Sequence, residues 1–421
     1  MRRIFVIALC AVLLFTSCEF TLVKQSGTTD SQIQTEESRP LESATEEVAN
    51  QTRFSATDTP IKPIELVEPP TLYSLSFVAA GDNMAYYGNV RDAAKNAEGT
   101  DAKYDFKPSY TTIKPFVEAH DLAFINQETL MCGEGYDLSY YPRFNSPKEL
   151  GDAVVDAGFD IIGMANNHML DKGESGLKAT LDYWETKPVT LIGAYRNSEQ
   201  FEDITVIEKN GISIALLAFT EHTNGLKLGK NSEMYIPYID ADVLARKVKE
   251  AETLADITIV SMHWGDEFTF KVNPSLQTDF AKIICENGGD VIIGHHPHTI
   301  QPIEWIESDT NKTLCVYSLG NFMSEMEKDT RILGGMVSFD IEKLGEKGKA
   351  EVKNVLFTPT VFDFTTKFYN NHIYFLEDYT DEQARAHGIR YYGNSTTLDK
   401  LYGYVKDNID AEFLPDFLKT E

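Results

Sequence analysis

Residues 145–177, NSPKELGDAVVDAGFDIIGMANNHMLDKGESGL, combine a helical pattern, a strand-like run and the start of a second helical pattern. The apolar residues of 147–157 have helical spacing, with a proline at an early position, and predict a helix. Residues 161–165 form a short apolar run typical of a buried strand, and the polar triplet 166–168 ends it. A second helical pattern follows over 176–186. This succession predicts a layered α/β domain.

Strand-like and helical patterns alternate along the rest of the chain. Further strands are predicted at 75–80, 122–126, 257–262, 291–293 and 314–318, and further helices at 241–254 and 276–287. Residues 204–220 predict two strands joined at Asn210-Gly211, a dipeptide that favours tight hairpins. Strands over 335–341 and 350–361 follow without a helix between them, and short helices are expected from about residue 378. The hairpins favour two mixed sheets over one parallel sheet.

The N-terminal region predicts a membrane anchor and a stalk. Two arginines precede an apolar run over residues 4–15, which is shorter than the about 20 residues that span a bilayer. Such a run suits a signal peptide. The small residues at 16–17 before Cys18 resemble the lipobox of bacterial lipoproteins, which implies a lipoprotein signal peptide over residues 1–17 with lipid attached at Cys18. The alternative is an ordinary secretory signal with an incidental cysteine. Residues 18–70, rich in Ser, Thr, Glu and Pro, predict a disordered stalk. We expect the chain at the extracytoplasmic face of a bacterial membrane.

The charge of the chain limits its partners. The net charge is −27, from 65 acidic and 38 basic residues, which disfavours nucleic acid and anionic lipid because both need a basic face. A polyanionic substrate would need a locally positive site, and bound metal could supply one. Beyond the predicted leader and Cys18, three cysteines remain, Cys132, Cys285 and Cys315. An odd number without metal-type spacing argues against a disulfide framework, and the apolar patterns around Cys285 and Cys315 predict buried thiols at these two positions.

Residues able to bind metal follow five successive predicted strands. They are Asp82, Glu128, Asn167 with His168, His263, and the run His295-His296-Pro297-His298. Ligands of α/β sheets gather at the carboxyl ends of the strands, so we expect these side chains to meet. His296 and His298 are two residues apart and project to one side. His295 projects the other way and is predicted to be a packing or supporting residue.

The chemistry of these side chains predicts a divalent metal site. The predicted ligands are Asp82, Glu128, Asn167, His263, His296 and His298. Carboxylate, amide and imidazole ligands without thiolate suit manganese, iron or zinc. Six ligands are more than one tetrahedral zinc ion normally uses, which favours two ions about 3.5–4 Å apart that share a carboxylate.

Several segments together resemble the CapA family of bacterial poly-γ-glutamate capsule proteins. They are AAGDNM, NQE, the stretch quoted above, HWGDEF, GHHPHTIQPIE and YSLGNF, in this order between about residues 76 and 322. The family is similar in fold to calcineurin-like metallophosphoesterases. The resemblance implies a calcineurin-like four-layer sandwich of two mixed β-sheets flanked by helices over residues 71–375, with a C-terminal helical extension over 376–421. It also implies membrane-embedded capsule synthase subunits and an anionic polymer as partners.

The chain departs from the phosphoesterase pattern at three of the positions that the resemblance aligns. Met84 stands where a second ligand of the first motif is expected. Glu128 replaces a shorter bridging aspartate, and Met169 replaces the acid after the Asn-His pair, where Asp171 could substitute. These departures weaken the case for ordinary phosphoesterase activity.

Two further residues are given roles. His168 is predicted to be catalytic and to protonate a leaving oxygen, or otherwise to orient Asp82 or the substrate. Arg143 is a candidate for binding an anionic substrate group, with an exposed structural arginine as the alternative. Asp266 and Glu267 are predicted to be supporting or solvated residues.

Three functions remain open. The first is a factor of capsule polymer synthesis or export. The second is a metal-dependent phosphoesterase or other hydrolase that acts on an envelope substrate. The third is a non-catalytic module that binds an anionic ligand.

Overall fold

The computed structural model of the protein describes residues 70–419. The predicted signal peptide at 1–17, the lipid attachment residue Cys18 and the predicted stalk, apart from Pro70, lie outside the described residues. None of the helices between residues 70 and 419 has the length and apolar character that crossing a bilayer requires.

The described residues form α/β secondary structure throughout. The strands are β1 (Leu72–Asn83), β2 (Leu122–Gln127), β3 (Ile161–Gly163), β4 (Thr190–Ile192), β5 (Thr205–Lys209), β6 (Ile212–Thr220), β7 (Ile257–His263), β8 (Val291–His295), β9 (Ile303–Glu307), β10 (Lys312–Val316), β11 (Asn321–Met323), β12 (Leu333–Leu344), β13 (Ala350–Asp363) and β14 (His372–Phe375). The α-helices are α1 (Tyr87–Asn96), α2 (Lys107–Tyr110), α3 (Lys114–Val117), α4 (Lys148–Asp156), α5 (Gly173–Trp184), α6 (Ser198–Glu202), α7 (Ala241–Ala251), α8 (Asp279–Glu286), α9 (Asp329–Ile332), α10 (Asp381–Ala386), α11 (Leu398–Asn408) and α12 (Asp416–Lys419). A π-helical turn, Pro274–Thr278, precedes α8, and 3₁₀ turns lie at Gly388–Tyr392 and Ala411–Phe413.

The strands form two mixed sheets. The first has the order β14-β13-β12-β1-β2-β3-β4, with β11 paired to β1 as well. Its strands β1 to β4 are parallel, whereas β12, β13 and β14 run antiparallel to their neighbours. The second sheet has the order β5-β6-β7-β8-β10-β9, with β6, β7, β8 and β10 parallel and an antiparallel strand at each edge. Each sheet therefore contains four neighbouring parallel strands, which end at a common edge.

The side chains of the strands alternate between the two faces of a sheet, and each face packs against a different layer. One face of β6 packs into the core that includes the first sheet, through Ile214, Leu216 and Ala218. The other face packs with residues of α7 and α8, through Ala215, Leu217 and Phe219. Successive side chains of a strand point to opposite faces, so a strand that is apolar on both faces is covered on both sides. The predicted fold class, two mixed sheets flanked by helices, is confirmed.

The sequence patterns located the long elements well and missed the short ones. The predicted hairpin at 204–220 is the β5–β6 pair, with Asn210 in the left-handed region at φ 53°. The strand predicted at 161–165 ends at Gly163, and the helix predicted at 276–287 begins with a π-helical turn. The strands β4, β9, β11 and β14 have three to five residues each, too few to show periodicity.

The remaining expectations concern the cysteines and the C-terminal region. Cys285 and Cys315 are buried free thiols, as predicted, and Cys132 is a buried free thiol as well. The helices α10, α11 and α12 follow β14, in agreement with the short helices expected from about residue 378. The boundary between a domain at 71–375 and an extension at 376–421 stays a prediction.

Asp290, which lies between α8 and β8, makes folding stability depend on pH. Its Oδ2 atom accepts a hydrogen bond from the Thr258 backbone N–H at 2.9 Å. Burial raises the pKa of Asp290 to about 7, and the nearby Glu252 carboxylate adds to the rise. The unfolded chain should release this proton near pH 4. The folded chain therefore loses stability as the pH rises from about 4 to 7, and no more above that.

We predict that Asp290→Asn reduces this loss, because the amide oxygen still accepts the Thr258 hydrogen bond but carries no charge. At pH 8 the variant should exceed wild type in free energy of unfolding by about 2–4 kcal/mol, and at pH 4.5 by much less. Urea denaturation at both pH values measures the difference. Asp309→Asn, at an exposed position, is the matched control. An equal gain at both pH values would contradict the electrostatic explanation.

Candidate metal centre

The end of β1 is shaped to bury Asp82. An added Cβ atom at Gly81 would lie 2.1 Å from the carbonyl oxygen of Gly320, so only glycine fits there. The register of β1 against β2 shifts at this point. The Asp82 side chain is fully buried, and its Oδ1 atom accepts a hydrogen bond from Nδ2 of Asn126 at 2.8 Å. Its Oδ2 atom accepts a hydrogen bond from the His296 backbone N–H at 3.3 Å.

Glu128, which directly follows β2, is the least satisfied buried group of the site. Neither oxygen of its carboxylate has a hydrogen-bond partner among residues 70–419. Burial raises the pKa of Glu128 well above its ordinary value, and the charge of Asp82 raises it further. Such a carboxylate needs a proton or a cation to be stable in the interior.

Asp82 behaves in the opposite way although it is equally buried. Burial by itself would raise the pKa of Asp82, but contacts with His295 and His298 hold it well below its ordinary value. Nδ1 of His298 lies 3.1 Å from Oδ2 of Asp82, and Nδ1 of His295 lies 3.5 Å from Oδ1. The pKa values of these two neighbouring carboxylates are therefore shifted in opposite directions.

Three histidines of the second sheet face these carboxylates. His263 ends β7, and His296 and His298 follow β8. The backbones of His296 and His298 lie at positive φ, 98° and 56°. Residues other than glycine adopt this region rarely, at a cost of about 1–3 kcal/mol each. Strain of this kind is common where a side chain has to be aimed at a functional site.

The protonation states of these histidines differ. Burial and the neighbouring histidines lower the pKa of His263 well below its ordinary value and that of His296 to about 3. For His298 burial acts in the same direction, but the carboxylates of Glu128 and Asp82 outweigh it and raise the pKa to about 9. His263 and His296 are therefore neutral, which is the form of imidazole that binds metal.

Two buried sets of ligand atoms share Glu128. One consists of Glu128, His263 and His296, and the other of Asp82, Glu128 and His298. Within each set the ligand atoms lie within 4.8 Å of one another. Nδ1 of His296 and Nδ1 of His263 have no partner among the described residues. Buried acceptors without donors, next to neutral imidazoles, suit a divalent metal ion.

Asn167 lies at the edge of the first set. Its Oδ1 atom is 3.1 Å from Nε2 of His263, and its Nδ2 atom donates to Oδ1 of Asn224 at 3.4 Å. The structure thus brings together all six predicted metal ligands, whose role in metal binding stays a prediction.

His168 is held by Asp171. Nδ1 of His168 lies 2.7 Å from Oδ2 of Asp171, and the same oxygen accepts a hydrogen bond from the Phe144 backbone N–H at 2.6 Å. The edge of one ring faces the other between His168 and Phe144, with centroids 4.8 Å apart. Asp171 is therefore the acid that contacts His168, and its expected substitution for an acid at position 169 stays a prediction.

The remaining residues singled out from the sequence lie around this centre or away from it. His295 is fully buried against Phe124, with ring centroids 5.6 Å apart. Met84, at the position of the missing ligand, packs in a small apolar cluster with Phe144 and Met326. Arg143 is exposed, and its guanidinium forms no hydrogen bond or ion pair with residues 70–419. The structure offers no contact that supports its predicted role.

Two neighbours of the centre were not singled out as ligands. The His222 ring lies 5.2 Å from that of His296, and His222 follows β6 by two residues. The strand-end argument applied to β6 would have found it. The exposed Glu267 forms a third ligand set with His296 and His298, whereas it had been predicted to be a supporting or solvated residue. Glu267 lies in a loop, so no periodic sequence pattern indicates that it contacts the centre.

Comparison with solved structures matches the chain to several phosphoesterases. A 5'-nucleotidase precursor from Thermus thermophilus is 11% identical and has a TM-score of 0.43, covering 80% of this chain and 59% of its own. The calcineurin-like phosphoesterase YfkN from Bacillus subtilis is 12% identical with a TM-score of 0.39, covering 80% of this chain and 97% of its own. Neither likeness extends to the roles of residues.

Comparison with protein families and curated sequences is more specific. The family model "Bacterial capsule synthesis protein PGA_cap" matches residues 76–326. "PGA biosynthesis protein CapA" of Bacillus subtilis is 30% identical over 286 residues, 66% of this chain and 70% of that protein. "Capsule biosynthesis protein CapA" of Bacillus anthracis is 31% identical over 185 residues, 43% of this chain and 44% of that protein. The chain belongs to the PGA_cap family of bacterial capsule synthesis proteins.

Proposed function

We propose that this chain is a lipid-anchored extracytoplasmic protein of capsule polymer synthesis or export that holds two divalent metal ions around Glu128. The observation that carries the proposal is the buried Glu128 carboxylate, which two ligand sets share and no hydrogen-bond donor among residues 70–419 satisfies. Two Bacillus relatives are named for capsule or PGA biosynthesis. Their names support a polymer of the poly-γ-glutamate type as the molecule on which the protein acts.

The donor set suits two ions with one shared carboxylate. One ion would take Glu128, His263 and His296, with Asn167 at its edge. The other would take Asp82, Glu128 and His298. Imidazole and carboxylate donors without thiolate favour manganese, iron or zinc. When bound, the ions supply Lewis acidity at a carbonyl or phosphoryl oxygen and positive charge in an acidic protein.

Membrane attachment would come from the lipid at Cys18, with residues 18–70 as the tether. A chain of net charge −27 has little electrostatic attraction to anionic lipid. Acyl chains supply membrane affinity without such attraction. At the outer face the domain would meet membrane-embedded synthase subunits and the anionic polymer, with no nucleic acid among its partners.

Hydrolysis is a second candidate function, and the pairing of His168 with Asp171 favours it. Asp171 fixes Nδ1 of His168 at 2.7 Å, which leaves Nε2 as the nitrogen able to give a proton to a leaving oxygen. Simple retention of an anionic ligand needs no oriented acid of this kind. The substrate would be a phosphoester or an amide of the envelope.

We predict that Glu128→Gln removes both metal ions, because the neutral amide replaces the one carboxylate that both sets use. His263→Ala should remove only one, since His263 belongs to one set. Metal analysis of the purified chain should give about two equivalents for wild type. Glu134→Gln, at an exposed loop position, should match wild type. Full metal content in Glu128→Gln would refute the shared carboxylate.

The role in capsule synthesis predicts a loss of polymer when the centre is removed. In a capsule-forming strain that lacks its own copy, Asp82→Ala and His296→Ala should lower cell-associated polymer about tenfold or more, with protein levels unchanged. Cys18→Ser should move the protein out of the membrane fraction. Normal polymer from chains that have lost their metal would mean that the centre is not why the protein is needed.

Hydrolytic function predicts that His168→Gln lowers kcat about 10²- to 10⁴-fold while metal content stays at the wild-type level. Asp171→Asn should have a smaller effect in the same direction, because it disturbs only the orientation of the ring. A panel of chromogenic phosphodiesters and γ-glutamyl amides measures turnover, and Glu134→Gln serves as the control. Absence of turnover in metal-loaded wild type on the whole panel would rule this candidate out.

A further inference from the structure

We propose that Arg331 binds an anionic oxygen group, a carboxylate or a phosphate, of the molecule held at the metal centre. The inference rests on the proposed metal-dependent function and names the chemistry of its ligand. It assigns to Arg331 the role that the sequence had suggested for Arg143. Four observations support the proposal. The guanidinium stacks beside the centre, its segment is held in place by hydrogen bonds, it has no carboxylate partner among residues 70–419, and acidic residues lie near it.

The guanidinium of Arg331 stacks on Phe268, whose ring contacts the centre. Its Cζ atom lies 3.6 Å from the centroid of the Phe268 ring. The Phe268 ring in turn stacks on that of His298, with centroids 5.9 Å apart and planes 27° apart. The Phe268 backbone N–H donates to the Pro297 carbonyl at 2.7 Å. Arg331 therefore lies one aromatic ring away from a predicted metal ligand.

A single asparagine connects Arg331 to the same ligand. Nδ2 of Asn321 donates to the Arg331 carbonyl oxygen at 2.8 Å, and Oδ1 of Asn321 lies 3.0 Å from Nδ1 of His298. Asn321 is itself buried. The arginine backbone and the imidazole are thus held in a fixed relation by one side chain, which is the support that a preorganised binding group requires.

The helix that carries Arg331 is fixed from the C-terminal region. Within α9, Oδ2 of Asp329 accepts a hydrogen bond from the Tyr404 hydroxyl at 3.1 Å and forms an ion pair with Lys400. Both partners belong to α11. The ring of Tyr404 also contacts that of Phe270, with centroids 5.4 Å apart. Part of the C-terminal region therefore stabilises the segment around the arginine.

Arg331 is supported but not neutralised. Its Nε atom is buried without a hydrogen-bond partner, and no carboxylate oxygen of residues 70–419 lies within 4 Å of its guanidinium. Arg196 and Arg246, by contrast, have carboxylate oxygens at 2.6 and 2.7 Å. A planar guanidinium with unused N–H groups is the side chain best suited to a carboxylate or phosphate.

The surroundings would otherwise repel an anion. Burial lowers the pKa of Arg331, and the charges of Glu327 and Glu267 oppose that change. Glu267 is also close to His296 and His298. An anionic ligand that approaches these carboxylates needs a cation in addition to the metal ions. The unpaired guanidinium of Arg331, on the Phe268 ring, can supply it.

The test compares Arg331→Gln, Arg331→Lys and the control Arg390→Gln, at an exposed arginine, in the metal-loaded full chain. Metal content is measured first and should equal that of wild type in all three. Titration calorimetry then measures the dissociation constants of two probes, inorganic phosphate and N-acetylglutamate. Arg331→Gln should weaken at least one probe about tenfold or more. The affinity of Arg331→Lys should fall between those of wild type and Arg331→Gln, because lysine keeps the charge but cannot make the paired hydrogen bonds of a guanidinium. Arg390→Gln should bind as wild type does.

The two probes distinguish the sources of the anionic group. A selective loss for N-acetylglutamate assigns Arg331 to a carboxylate of the polymer, and a selective loss for phosphate assigns it to a phosphoester. The inference is wrong if wild type binds neither probe, or if Arg331→Gln binds both as wild type does. Absence of metal from wild type would refute the proposed function instead. The probe titrations on the metal-free chain would still decide the role of Arg331.

Discussion

The buried carboxylate of Glu128 is the constraint on which the rest of the site depends. An ionised carboxylate in the protein interior is unstable unless hydrogen bonds or a cation offset the loss of hydration. Glu128 accepts no hydrogen bond from the described residues, and the imidazoles of His263, His296 and His298 lie around it instead. Without a partner, the Glu128 carboxylate destabilises the folded chain. A buried group of this kind is expected where a cation binds to it.

The centre could be located from sequence because two simple rules act together. Parallel strands end at the same edge, and polar residues at those ends have little structural reason to be there. Asp82, Glu128 and His263 follow both rules and lie together in the structure. Glu267 and Arg331 follow neither, since a loop and a four-residue helix bring them to the centre through contacts between residues distant in sequence. Periodicity carries no information about such contacts.

The departures from the phosphoesterase pattern have different structural meanings. Met84, where the resemblance leads one to expect a ligand, is part of an apolar cluster. At Met169 the side chain enters the core, and Asp171, two residues later, contacts the histidine of the Asn-His pair. The first departure thus leaves only apolar contacts, whereas the second leaves an acid within reach of the histidine.

The origin of the ligands in two separate sheets has a consequence for folding. Asp82 and Glu128 come from the first sheet, and His263 and His296 from the second. Ions held between them would cross-link the two halves of the sandwich and bind the native chain in preference to the unfolded one. Such linkage adds about 2.7 kcal/mol of stability when the free ion concentration is 100 times the dissociation constant. The supply of free metal ions would then set how long each molecule survives as well as how well it works.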